Sequence, residues 1–256
     1  VPLEDCMKNG KRKDLRPKGK ITELAFGYQG GPNAAITMGA LDMGVKEEEL
    51  LPFVKVWRKK SPRVARGWYR TNDEAIECIE YGTGIPIGEM LRDREGDFER
   101  RYGFRYEGGS LWQILPSGRR LCYPNARIEW SEKFERDQIC FDGVNQYTHQ
   151  WGTIRTYGGK LFENRTQANG VDNLTNAMFR IEEENIPIVF SVHDEPVMEV
   201  PLDWKAELYS PDHKDKNERK KSVGVKYIER LMCEEQRGYE GLPLQADGMD
   251  AMFYQK

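Results

Sequence analysis

Ile188-Val-Phe-Ser-Val-His-Asp-Glu-Pro-Val-Met-Glu-Val200 is the stretch on which the reading of the fold turns. Ile186, Ile188, Val189, Phe190 and Val192 form one apolar run, and Val197, Met198 and Val200 a second. Two such runs separated by a few polar residues predict a β-hairpin, with His193-Asp194-Glu195 as its tight turn. Strands this apolar are expected to be well buried, which would hold the two carboxylates at a fixed point. Oxygen ligands of that kind suit a hard divalent cation such as Mg²⁺, which takes one or two carboxylates and completes its shell with phosphates and water. An acidic turn can equally serve solubility alone.

Working backward along the chain, the second marked segment is a helix predicted over residues 17 to 29. Pro17 suits the first helical turn and Gly30-Gly31-Pro32 stops the helix. Ile21, Leu24, Ala25 and Tyr28 follow the helical spacing for one apolar face. Arg16, Lys20, Leu24 and Tyr28 recur every fourth residue, giving a stripe that is cationic at its start and aromatic at its end. Helix N-termini prefer acids, so bases placed there point to an anionic ligand. A plain amphipathic helix with a basic first turn is the alternative.

Helical texture continues from 33 to about 105, with helices expected over Glu47 to Lys59 and, after the break at Pro62, over Asn72 to Tyr81. Gly108-Gly109 marks a change. Leu111 to Leu115 and Arg119 to Tyr123 read as strands around the turn Pro116-Ser117-Gly118, and residues 126 to 158, Thr153 to Tyr157 among them, alternate in the same way. A long helix follows, its buried stripe expected at Val171, Leu174, Met178 and Ile181, and Asn185-Ile186-Pro187 ends it. The last helix is expected over Ser222 to Glu235, using Val225, Ile228 and Leu231 or Met232. The chain therefore reads as α+β: a helical part over residues 1–107, and a part over 108–256 with an antiparallel sheet and flanking helices.

Composition narrows the function classes. The 256 residues suffice for a sizeable core, and no apolar run reaches the roughly eighteen residues that span a bilayer. Five cysteines without Cys-x-x-Cys spacing and three scattered histidines make no zinc pattern, so reduced thiols in a cytoplasm are expected. Asn164-Arg165-Thr166 and Asn173-Leu174-Thr175 match glycosylation acceptors by chance on that view. Net charge is −3, yet bases crowd residues 8–20 and again Lys214, Lys216, Arg219, Lys220 and Lys221. Such clusters can neutralise phosphates or simply form solvated surface.

Taken together, Arg16-Pro-Lys-Gly-Lys20-Ile-Thr-Glu-Leu24-Ala-Phe-Gly-Tyr28-Gln-Gly-Gly31 and Val192-His193-Asp194-Glu195 resemble the family A DNA polymerases, the bacterial polymerase I type, in their phage branch. The first segment is similar to the nucleotide-binding fingers helix and the second to the metal-binding palm turn. Between them Ser117-Gly118-Arg119-Arg120-Leu121 resembles a palm strand motif, and Tyr157-Gly158-Gly159-Lys160 to Gln167 the start of the helix that feeds the palm hairpin. Gly241-Leu242-Pro243-Leu244 resembles the end of such phage enzymes.

The resemblance implies fingers over 1–107 and palm over 108–256, acting in template-directed DNA synthesis with Mg²⁺, deoxynucleoside triphosphates and primer–template DNA. It implies that Arg16 and Lys20 grip the triphosphate and that Tyr28 stands beside the templating base. Gln167 would touch the minor groove of the primer–template, and His193 would lie near the primer end. Asp194 would hold metal with Glu195 in support. Leu24 stands where the family usually has Phe or Tyr, so sugar discrimination through that aromatic is not carried over. The family's other metal-binding aspartate precedes the fingers helix, and the expectation is a chain that is inactive alone and completed by upstream sequence or a second polypeptide. Two further readings stay open: a non-catalytic nucleic-acid-binding or assembly subunit, and a metal-dependent hydrolase using Asp194 and Glu195.

Overall fold

The structure is a computed structural model that describes residues 3–6, 10–12, 14–82, 103–132, 134–213 and 218–254. The fold is α+β, and the chain divides into two compact units, residues 1–166 and 167–256. Among the expectations above, any helix over 83–102 and the bases Lys8, Lys13, Lys214 and Lys216 lie outside the described residues, as does the side chain of Arg219.

The first unit opens with α1 (Leu3–Cys6), α2 (Leu15–Phe26), α3 (Pro32–Thr37), α4 (Glu47–Lys60) and α5 (Pro62–Tyr81). α4 carries Glu47, Glu48 and Glu49 in its first turn and Arg58, Lys59 and Lys60 in its last, complementing the helix dipole at both ends. Glu49 also accepts the Lys46 backbone N–H at 2.9 Å, satisfying one free donor at the helix start. α5 is ten residues longer than the sequence pattern suggested, because Pro62 begins the helix instead of merely ending the one before. Ile21, Ala25 and Phe26 of α2 pack with Ala35, Ala40, Val45, Leu50 and Val54 into one apolar cluster.

Two features of α2 differ from expectation. The helix spans Leu15–Phe26, so Tyr28 lies in the turn beyond it, where Gln29 takes a left-handed φ of 70°. Phe26 is fully buried whereas Leu24 is 47% exposed, so the core-facing stripe is Ile21, Ala25 and Phe26 and excludes Leu24. Leu24 instead shares the solvent side with Arg16 and Lys20, one helical turn apart at each step.

Antiparallel strands follow: β1 (Gly103–Glu107), β2 (Ser110–Ile114) and β3 (Arg120–Tyr123) form one sheet, and β4 (Arg127–Ser131), β5 (Arg136–Val144) and β6 (Trp151–Thr156) a second. Glu107 pairs with Ser110 across Gly108-Gly109, both at positive φ (60° and 73°), the sense that two-residue hairpin turns require. The apolar cluster of Ala75, Cys78, Phe104, Leu111, Tyr123, Ala126, Ile139 and Leu161 joins α5 to both sheets and to the start of α6 (Gly158–Glu183).

In the second unit α6 ends where Asn185 turns left-handed (φ 60°), and the Ile188 N–H then bonds to the Glu182 carboxylate at 2.8 Å. Its buried residues include Ala168, Asp172, Asn173, Ala177 and Ile181, whereas Val171 is 56% exposed, against the expected stripe. Asp172 is drawn inward because Tyr239 comes down on it, the hydroxyl 3.0 Å from Asp172 Oδ2 and 3.1 Å from Asn169 Oδ1. The hairpin is β7 (Ile188–Val192) with β8 (Glu195–Met198), and α7 (Val223–Cys233) begins at Ser222, whose hydroxyl accepts the Val225 N–H at 3.1 Å. Ile181, Ile186 and Leu231 centre this unit's core. Among the described residues no helix is long and apolar enough to cross a membrane, and none of the five cysteines is bridged.

Candidate active site

The first candidate element is the start of α2. Its first turn carries no acid, and Arg16 and Lys20 are solvent-exposed without a hydrogen bond or ion pair among the described residues. Neighbouring charges are committed elsewhere. Arg12 grips Asp14 through two contacts of 3.1 and 3.2 Å, which hold that carboxyl below its usual range, and Lys18 bonds to the Gly44 carbonyl at 3.2 Å. The Leu15 N–H is taken by the Arg12 carbonyl at 3.0 Å and Pro17 has none to offer, so it is the exposed guanidinium and ammonium one turn apart, at the positive end of the helix dipole, that suit a polyanion.

The other end of α2 is held from three sides. Trp68 on α5 donates its indole N–H to the Gly27 carbonyl at 2.9 Å, and the Arg58 guanidinium reaches the Gly30 carbonyl at 3.4 Å. Gly159, at the start of α6, donates its N–H to Gln29 Oε1 at 3.0 Å. A Cβ on Gly30 would fall 1.9 Å from the Ala25 carbonyl oxygen, so the chain closes on itself there as only glycine allows. Tyr28, half-buried, is thereby fixed in place although it is no longer helical. Sequence reasoning missed Gln29, Trp68 and Gly159 in this role. The adjacent Gly158-Gly159 was the available signal, since paired glycines at a helix start often mark close backbone approach.

The hairpin of the second unit is the other element. Val192 pairs with Glu195, so the turn is the two residues His193-Asp194, and Glu195 opens β8 instead of completing a three-residue turn. His193 takes the left-handed φ of 57° that such short turns demand. The base of the hairpin is less buried than its apolar sequence suggests, with Val189 56% and Phe190 41% exposed and Pro196 the one buried residue of β8. Ordering comes instead from the ladder and from Tyr254, whose ring meets Phe190 edge-on at 5.3 Å. His193, Asp194 and Glu195 all face solvent. Gln167, the first residue of this unit, is exposed on α6 one position before buried Ala168. The structure thus brings Arg16, Lys20 and Leu24 onto one stripe, and places His193 and Asp194 in a two-residue turn with Glu195 next to them at the start of β8.

Among the described residues no three His, Cys, Asp or Glu side chains gather as a metal centre. Asp194 and Glu195 nonetheless offer oxygen donors of the class a hard cation prefers, a partial set that phosphate oxygens could extend. In the second basic cluster Lys220 is exposed, as solvated surface requires, whereas Lys221 departs from both expectations. Lys221 is buried, and Glu218, Glu229 and Asp247 surround its ammonium at 2.6, 2.5 and 2.6 Å.

The α+β chain thus carries an exposed cationic helix start in its first unit and exposed carboxylates at the β7–β8 turn of its second. The chain is 36% identical over all of its residues to a protein named DNA polymerase from Bacillus phage SP02, and it spans 34% of that protein's length. No family model and no solved structure matches it.

Proposed function

We propose that the chain contributes the fingers (1–107) and palm (108–256) elements of a template-directed DNA polymerase of the family A type, extending a primer 3′ end with deoxynucleotides. The observation that carries this reading is the 36% identity to a phage DNA polymerase over the whole chain. In the proposed reaction the primer 3′ oxygen attacks the α-phosphorus, a new phosphodiester bond forms, the α–β bond breaks, and pyrophosphate leaves. Arg16 and Lys20 bind the triphosphate and neutralise the charge that accumulates on the leaving pyrophosphate. Tyr28 stands beside the templating base, Gln167 meets the minor groove, and His193 lies by the primer end. Asp194 and Glu195 would hold Mg²⁺ together with a further acid from upstream sequence or a partner polypeptide. Held there, Mg²⁺ would supply charge stabilisation for the attacking and departing oxygens.

The test is primer extension with Mg²⁺ by the polypeptide that joins this chain to its upstream region, compared with its Asp194→Asn variant. Loss of extension by orders of magnitude with primer–template binding retained is expected. Undiminished extension by Asp194→Asn would remove that carboxylate from the mechanism.

A further inference from the structure

The start of α6 and the turn after α2 are built into each other, although 130 positions separate Gln29 from Gly159. Gly159 has no room for a side chain: a Cβ there would lie 2.5 Å from the Tyr28 carbonyl oxygen and 2.5 Å from Gln29 Cβ. Gly158 is as tight against α5, with 2.0 Å to the Trp68 carbonyl oxygen, and its N–H bonds to the Asn72 side chain at 3.1 Å. Gln29 sits at φ 70°, a conformation a non-glycine residue holds at some cost, and its amide oxygen is spent on the Gly159 N–H. That N–H is one of the donors a helix start leaves unsatisfied, so the glutamine serves as a cap supplied from a distant segment.

We infer that Gln29 and Gly159 are positioning residues for nucleotide selection: the contact between them fixes the backbone of Tyr28, and through it where the ring stands. The inference rests on the polymerase reading, in which Tyr28 lies beside the templating base. The chemical logic is that Tyr28 lies beyond the last residue of α2, so the regular helical ladder does not fix its backbone and the segments packed on the turn do. Here the Tyr28 carbonyl abuts Gly159 on one side and the Gln29 amide pins the following residue on the other. Backbone displacement of an ångström at such a point is enough to alter a discriminating geometry severely.

The experiment is primer extension by the joined polypeptide, measuring kcat and KM separately for correct and incorrect nucleotides, with circular dichroism to verify folding. Gly159→Ala is expected to cut the ratio of correct to incorrect kcat/KM about tenfold or more. Gln29→Ala, which removes one hydrogen bond, should cut it about fivefold, and Gln29→Glu, which keeps an acceptor oxygen, should restore most of it. If Gly159→Ala fails to fold, the Gln29 pair decides alone. Unchanged discrimination in Gln29→Ala, alongside raised nucleotide KM in Arg16→Ala and Lys20→Ala, would overturn the inference and leave the polymerase reading intact. No effect of Arg16→Ala, Lys20→Ala or Asp194→Asn on extension would overturn both.

Discussion

Trp57 and Trp68 stack nearly parallel, ring centroids 5.6 Å and planes 10° apart, and send their indole N–H groups to α2 and to the residue that caps it. Trp57 donates to Glu23 Oε2 at 2.8 Å and Trp68 to the Gly27 carbonyl at 2.9 Å. The pair is therefore both packing and hydrogen bonding for one helix end. Trp68 is fully buried, so Trp68→Ala should lower stability by about 3–5 kcal/mol. Trp68→Phe, which keeps a ring but frees the Gly27 carbonyl, should cost about 1–3 kcal/mol. Denaturant unfolding midpoints measure both; a midpoint unmoved by Trp68→Ala would contradict the packing described.

Two glycines of the same region should respond in opposite senses. Gly19 lies mid-helix in α2 with nothing within 4 Å of a built Cβ, so Gly19→Ala should stabilise by about 0.5–1 kcal/mol. Gly30→Ala meets the Ala25 carbonyl oxygen at 1.9 Å and should destabilise by more than about 2 kcal/mol. Equal shifts in melting temperature for the two would count against this geometry.

Beneath the first sheet, buried Tyr123 lies 3.1 Å from Gln113 Oε1 and 3.2 Å from Asn164 Nδ2. Burial pushes its phenol up to about 12, partly offset by the Asn164 bond. Tyr123→Phe strands the Gln113 amide oxygen in the core and should cost about 1–3 kcal/mol. Tyr123→Phe combined with Gln113→Leu should recover part of that loss, since both polar groups then go together. A double variant no better than the single would refute the pairing.

Around Lys221 the prediction concerns pH. Lys221, then Lys226, hold the Glu218 carboxyl down at about 2. Glu229 is also lowered: burial alone would raise it, but its bonds to Lys221 and Lys226 outweigh that. Depressed carboxyls stabilise the fold above their ordinary values and stop doing so as pH falls through the folded ones. Protection of the Gly248 amide, which bonds to Glu229 at 2.8 Å, should therefore be full above the ordinary carboxylate range and fade as the pH falls below it. On the alkaline side burial would lower Lys221, but Asp247, Glu218 and Glu229 raise it above an ordinary lysine. Its contribution is complete below the ordinary lysine value and disappears only as pH climbs through the raised one. Hydrogen exchange corrected for intrinsic rates measures the acid limb; flat protection from pH 6 to 2 would rule the network out as the tail's anchor.

What could be seen in the sequence followed from local periodicity and punctuation. Pro116-Ser117-Gly118 and Asn185-Ile186-Pro187 act within a few residues, so their breaks are legible to within a position or two, whereas Gly108-Gly109 signals only a change of texture and β1 (Gly103–Glu107) before it falls in a stretch read as helical. The cationic stripe of Arg16 and Lys20 was legible for the same reason. Periodicity failed where distant segments intervene: Tyr239 pulls Asp172 inward and shifts the buried stripe of α6 away from Val171, and nothing near Val171 signals this. Leu24 failed differently, because an apolar residue at a helical spacing is ambiguous when Phe26 competes for the core. The support of Tyr28 by Trp68 and Gly159 spans tens of residues and more than a hundred, out of reach of any local rule.

The two-residue turn at His193-Asp194 sets the register of the hairpin from Val192 and Glu195 as far as the bulge between Ile188 and Phe190. Side chains alternate along a strand, so one residue added or removed there would turn over all of β8 and put Pro196, Val197 and Met198 on the wrong sides of their ribbon. Any lineage that altered the loop's length by a single codon would have to rebuild the packing beneath it at the same time. Change at this acidic corner is thereby channelled toward substitution, since the parity of the strand makes insertion and deletion costly.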